Sequence, residues 1–123
     1  MANAINWFEI PAANFDRAKK FYSQVLGNQF QEMEVMGTKM AFLTEDTQNS
    51  VGGAICSGEG YKPSADGALV YLNGGEDLAK PLSRVEAAGG KVVLPKTKIS
   101  DEIGFMAMFM DSEGNKVAFH SPK

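Results

Sequence analysis

The sequence predicts an α+β fold built from two βαβββ modules in tandem. Three observations carry that prediction. Strand-like and helical periodicities follow one another in the order strand, helix, three strands, and the same order then returns. A stretch rich in glycine, serine and charge separates the two halves. The halves also align on each other residue by residue.

Residues 5–10 are bulky and apolar and run into Pro11, which reads as a strand ended by a turn. Asn14 is placed to cap a helix whose apolar positions Ala18, Phe21, Tyr22 and Val25 recur at helical spacing, and Gly27 is placed to stop it. Strand-like segments follow at 29–36, 40–44 and 51–56, with a turn at Gly37 and a polar turn over 45–50. The second half predicts strands at 68–72, 91–94, 105–110 and 116–120, and a helix that ends at Gly89-Gly90. Pro81 would cost a helix interior one hydrogen bond, so this helix is expected to begin at Asp77 or Leu78, with Pro81 near its first turn. The segment 96–98, inside an insertion between Lys91 and Glu102, is expected to be a solvated loop.

Sliding the chain along itself so that Phe8 falls on Leu69 also brings Asp16 onto Asp77, Ala18 onto Ala79, Lys19 onto Lys80 and Phe21 onto Leu82. A slightly longer slide brings Met40 onto Met106, Ala41 onto Ala107, Asn49 onto Asn115 and Val51 onto Val117. Residues 1–123 are accordingly expected to form a single domain, with module 1 over 1–57, a linker over 58–66 and module 2 over 67–123.

Composition narrows the function classes. The 12 basic and 15 acidic residues are interspersed and the net charge is −3, so no basic stripe exists to neutralise phosphates, and nucleic acid is excluded as the expected partner. The one cysteine, Cys56, has no internal partner for a disulfide, and with seven methionines it suits a reducing, cytoplasmic setting. The N-terminal stretch lacks a basic start and an uninterrupted apolar core, and no window approaches the roughly 20 apolar residues that span a bilayer, so no membrane association is expected.

The runs WFEIP and DRAKKFYSQVLG in the first half, and LVYLNGGEDLAKPLSRVEAAGGKVV and MFMDSEGNKVAFHS in the second, resemble the vicinal oxygen chelate superfamily, which includes glyoxalase I, extradiol dioxygenases and bleomycin-resistance-like proteins. The resemblance covers nearly the whole chain. It implies a curved, mostly antiparallel eight-stranded sheet around a cleft, with helices on the outer face, and a homodimer. It also implies four metal-ligand positions on the first and last strands of the modules. These fall on Trp7 and its repeat partner Ala68, and on Ala118 and its repeat partner Gly52. None offers the imidazole, carboxylate or thiolate that a divalent metal needs. A shift of one residue at each position still offers only the amide of Asn6. The expectation is therefore a member without metal and without cofactor.

Side chains alternate along a strand, so Glu9 shares the face of Trp7, Ala54 and Cys56 that of Gly52, Val70 that of Ala68, and His120 that of Ala118. Glu9 and His120 are the candidates for acid–base chemistry, and Cys56 is a candidate thiol. Each has a plainer alternative: a strand-end glutamate is commonly solvated, His120 lies close to the end of the chain, and a lone cysteine is more often packed. Met106 and Met108 sit among methionines that suit an adaptable apolar wall as well as a core or dimer contact. Trp7 offers a flat surface for stacking.

The expected function is a glyoxalase- or bleomycin-resistance-like protein that holds a small apolar molecule in the cleft. The alternatives are an enzyme of the glyoxalase type, through an unforeseen metal site or through Glu9 and His120, and a non-catalytic dimeric interaction module.

Overall fold

A computed structural model describes residues 3–45 and 48–123. The expected turn over 45–50 therefore lies partly, at 46 and 47, outside the described residues. In chain order the elements are β1 (Trp7–Pro11), α1 (Phe15–Leu26), β2 (Gln31–Val35), β3 (Thr38–Phe42), β4 (Gly52–Ser57), β5 (Tyr71–Asn73), α2 (Ala79–Leu82), β6 (Lys91–Ser100), β7 (Gly104–Met110) and β8 (Lys116–Ser121). The βαβββ order occurs twice.

Helix α1 follows from local signals. The Asn14 side chain accepts a hydrogen bond from the Arg17 amide, which satisfies one of the first-turn donors that a helix leaves unpaired. At the other end Gly27 takes φ 76°, a left-handed conformation that costs glycine nothing, and its amide caps the Ser23 carbonyl. Between the caps Phe15, Ala18, Phe21, Tyr22 and Val25 are buried along one face.

Hydrogen bonding divides the eight strands into two sheets of four, ordered β1-β4-β3-β2 and β5-β8-β7-β6. Each contains one parallel pair, β1 with β4 and β5 with β8, and two antiparallel pairs. The single eight-stranded sheet implied by the resemblance is not what the ladders describe. Ile10, Ala41 and Ile55 of the first sheet and Leu72, Ala107, Phe109, Val117 and Phe119 of the second join α1 in one buried cluster. The Phe21 ring of α1 stands 6.1 Å from that of Phe109 on β7, while the same helix packs on β4. Thus α1 serves both sheets. Because strand side chains alternate, the residues between those core positions point away from the shared core.

Several elements depart from the expected bounds. Strand β5 covers 71–73 rather than 68–72. Helix α2 begins just after Leu78 with Pro81 in its first turn, but ends at Leu82 and is continued to Gly89 by turns in which Arg84 and Val85 donate three residues back, to Pro81 and Leu82. The segment 96–98 is no solvated loop: it belongs to β6, an edge strand whose register shifts on either side of Pro95. Edge strands with bulges tolerate proline because the missing amide leaves no ladder bond unmade. Lys96 pairs with Asp77 at 2.8 Å and lies over the Phe105 ring, 4.6 Å from its centroid.

The turn between β7 and β8 fastens the halves together. The Asn115 amide donates to the Pro11 carbonyl at 2.7 Å and to Asp111, while its side-chain oxygen accepts the Ser64 amide. Arg17 meets the fully buried Glu113 carboxylate through two nitrogens, at 2.6 and 3.1 Å, and the Asn14 amide donates to the same carboxylate at 2.7 Å. Burial works to raise the Glu113 carboxyl, but these donors and Ser112 outweigh it and hold it below the usual range.

Candidate functional site

The first sheet presents a continuous surface away from the core. The parallel register sets Trp7 across from Gly52, Glu9 from Ala54 and Pro11 from Cys56, while Phe42 and Met40 of β3 extend the same face. Backbone pairing alone thus brings Trp7, Glu9, Gly52, Ala54 and Cys56 together. Gly53 points the other way, and its lack of a side chain is required: a Cβ there would come within 2.3 Å of the Phe8 ring. Gly53 therefore marks a close approach by the Phe8 side chain.

On this surface Glu9 is the polar hub. Its carboxylate accepts the Tyr61 hydroxyl at 2.7 Å and the Trp7 indole N–H at 3.3 Å. Burial, then the charge of Glu9 and a hydrogen bond to it, push the Cys56 thiol up to about 12, against a smaller opposite effect of the Tyr61 hydroxyl. The hydrogen bond to Glu9, followed by desolvation, pushes Tyr61 itself up to about 12. Cys56 is buried and protonated at neutral pH, which is the state of a packed thiol and not of a nucleophile. Beside the hub, the Trp7 and Phe42 rings meet edge to face, with centroids 5.9 Å apart and planes at 66°. They wall a hollow of about 460 Å³ that Gln31, Thr44 and Glu45 also line among the described residues.

The second sheet presents its own surface. Ala118 lies across from Met108 on one side and Tyr71 on the other, and His120 from Met106 and Asn73. The Nε2 of His120 lies 2.6 Å from the Ile103 carbonyl oxygen, so that nitrogen donates. Tyr71 is 48% exposed.

Two expected residues lie off the Ala118 face, although both line a hollow of about 870 Å³ together with Glu9. Ala68 precedes β5, and the residue across from Ala118, as Trp7 is across from Gly52, is Tyr71. Val70 packs against the core on the opposite side from Tyr71 and gives its carbonyl to the Ala118 amide. The cause is a slip. The stretch from this strand position to the helix is shorter in the second half, so an alignment pinned on Asp16 and Asp77 slides along the strand. Glu9 and His120 stand on different sheets and have different partners, Tyr61 and Trp7 for the one and Ile103 for the other. Met106 and Met108 stand with His120 and Ala118, apart from the Trp7 surface.

Sequence reasoning missed Tyr61, Phe42 and Tyr71. Phe42 was findable, since it alternates with Ala41 and so shares the face of Met40. Tyr61 lies in the stretch read as a linker, and its partner Glu9 is remote in sequence, so no local pattern signals it.

Comparison with known proteins agrees with this architecture. The family model of the Glyoxalase/Bleomycin resistance protein/Dioxygenase superfamily matches residues 4–119. A glyoxylase-like domain-containing protein of Didymella fabae is 30% identical over 119 residues, which are 90% of this chain and 88% of that protein. Among solved structures, a glyoxalase I of Leishmania major described as trypanothione-dependent superposes with a TM-score of 0.69 at 17% identity, over 98% of this chain and 88% of that one. A glyoxalase/bleomycin resistance protein/dioxygenase family enzyme of Burkholderia phytofirmans gives 0.69 at 16%, over 96% and 98%. A mutant glyoxalase I of Zea mays gives 0.69 at 19% over 94% of this chain, which spans only 45% of the maize protein. At such identities the structures speak for the fold alone. With the family model matched across nearly its whole length, the chain belongs to the Glyoxalase/Bleomycin resistance protein/Dioxygenase superfamily.

Proposed function

We propose that this chain is a metal-independent binding member of its superfamily, holding a small organic molecule against the first-sheet surface at Trp7 and Phe42. The observation that carries the reading is the pairing of Trp7 with Gly52 and of Tyr71 with Ala118: the family resemblance implies metal ligands at Trp7, Gly52 and Ala118, and at Ala68, whose expected place across from Ala118 is taken by Tyr71. An indole, a hydrogen, a phenol and a methyl group do not fit a divalent cation, which takes imidazole, carboxylate or thiolate donors. What stands there instead is aromatic surface at Trp7 and Tyr71, across from the buried Gly52 and Ala118. A hollow of about 460 Å³ with two aromatic walls and a few polar groups at its rim falls in the size range of small-molecule sites.

The test is a titration of aromatic metabolites followed by Trp7 fluorescence, with and without prior chelation. Saturable binding that survives chelation and weakens at least tenfold in Phe42→Ala is the expected result. Stoichiometric divalent metal retained by the purified protein, and binding lost with it, would sink the reading.

A second copy of the chain is the proposed protein partner. Met33 and Val35 on the edge strand β2, with Val93, Ile99 and Ile103 in the second half, are exposed apolar side chains that a dimer would cover. Sedimentation showing a monomer at every concentration would remove it. The proposed setting is the cytoplasm, where Cys56 and the nearly fully exposed Met36 stay reduced. Among the described residues no helix is long and apolar enough to cross a membrane.

A further inference from the structure

We propose that the hollow beside Trp7 takes an organic cation: a protonated or quaternary nitrogen carried on an apolar or aromatic body. This rests on the reading that the surface binds a small organic molecule, and adds the charge of that molecule.

Three features converge on a positive charge. The first is the aromatic wall. Trp7 and Phe42 meet edge to face with planes at 66°, so the pair offers ring surface in two directions. A cation over such a surface is drawn by the negative face of the ring, most strongly for tryptophan.

The second is the bond behind that wall. The indole N–H of Trp7 donates to Glu9, and the Tyr61 hydroxyl holds the same carboxylate from its other oxygen. A carboxylate accepting the indole proton pushes electron density into the ring and makes its face more negative. The arrangement tunes Trp7 for a cation and against an anion.

The third is the charge of the rim. Glu45 is the one ionisable side chain among the described residues that line the hollow; Gln31 and Thr44 add a carbonyl and a hydroxyl oxygen able to accept. No lysine or arginine lines it among the described residues. The nearest basic residue along β3, Lys39, alternates with Met40 and so belongs to the other face of the sheet. An anionic ligand would meet Glu45 without compensation. A neutral one would gain the ring contacts and leave Glu45 unused, whereas an organic cation uses every group present.

The experiment compares (3-hydroxyphenyl)trimethylammonium with its neutral isostere 3-tert-butylphenol, which have the same shape and differ in charge. Trp7 is the only tryptophan, so fluorescence reports on the hollow directly. The cation is expected to bind saturably and about tenfold more tightly than the isostere. That ratio should shrink as salt is raised and fall to within about threefold in Glu45→Gln, a change at an exposed side chain that leaves the core untouched. Equal affinities, or a tighter neutral compound, overturn the charge assignment while the binding reading stands. If neither compound binds saturably, the binding reading falls and this proposal with it.

Discussion

The hydroxyl of Tyr22, in the middle of α1, donates to the Asp111 carboxylate 2.6 Å away in the turn between β7 and β8, and both residues are buried. One hydrogen bond thus ties the first helix to the last hairpin. Asp111 keeps further partners in the Glu113 and Asn115 amides and the Asn115 side chain. Removing the hydroxyl in Tyr22→Phe is expected to cost about 1–3 kcal/mol, the range for a bond to a charged group with its partner left buried. Urea midpoints read at constant m-value check this; a loss below about 0.5 kcal/mol would mean that the remaining donors carry Asp111 alone.

The same bond sets an alkaline limit. Desolvation first, then the charge of Asp111 and the bond to it, raise the Tyr22 phenol well above its ordinary value of 10.0. A group whose folded pKa is raised contributes stability that is fully present below the unfolded pKa and is lost as pH rises toward the folded one. Stability should therefore begin to fall above pH 10.0, and more steeply than in Tyr22→Phe.

Glu113 sets the acid limit with the opposite sign. Its carboxyl is held below 4.5 by Arg17, Asn14 and Ser112 against burial, so its contribution is present above pH 4.5 and disappears as pH falls through the lower folded value. Unfolding midpoints measured from neutral pH downward should drop more steeply in the parent than in Glu113→Gln. Parallel slopes in the two proteins would show that Glu113 does not set the acid limit.

Packing at Gly53 gives a steric prediction. A methyl group there would lie 2.3 Å from the Phe8 ring, which only a shift of the ring or strand can relieve. Gly53→Ala is expected to destabilise by about 1–3 kcal/mol. Combined with Phe8→Leu, it should cost less than the sum of the single changes, because the clash has lost its partner. Strict additivity in the double-mutant cycle would place the strain elsewhere.

Cys56 should resist alkylation. With its thiol raised to about 12, chiefly by burial, it is expected to react with iodoacetamide at pH 8 only after unfolding. Glu9→Gln removes the second cause and leaves the first, so it should speed the native reaction only slightly. Rapid modification of the native parent would contradict the burial of this thiol.

Local chemistry explains which parts of this fold were legible in the residues. Helix α1 was, because Asn14, Gly27 and the apolar stripe between them act within a single element. The Trp7 surface was legible in part: strand alternation puts Glu9 with Trp7, and Ala54 and Cys56 with Gly52, whatever the rest of the chain does. Strand β5 was not, because its register against β8 follows from pairing across the sheet, and a repeat alignment pinned on the helices had no access to it.

By itself, then, the sequence determined the doubled βαβββ order, the capped first helix, the superfamily, and the alternation that puts tryptophan and small residues at the implied ligand positions. Tertiary structure decided the rest. It chose Tyr71 over Ala68 as the residue across from Ala118, put Glu9 and His120 on different sheets, carried β6 through Pro95, and reached into the linker for Tyr61. The physical reason is range. Caps and alternation are settled by a residue and its near neighbours, whereas register and hydrogen bonds between remote segments are settled by which faces the two sheets bury against the same helix.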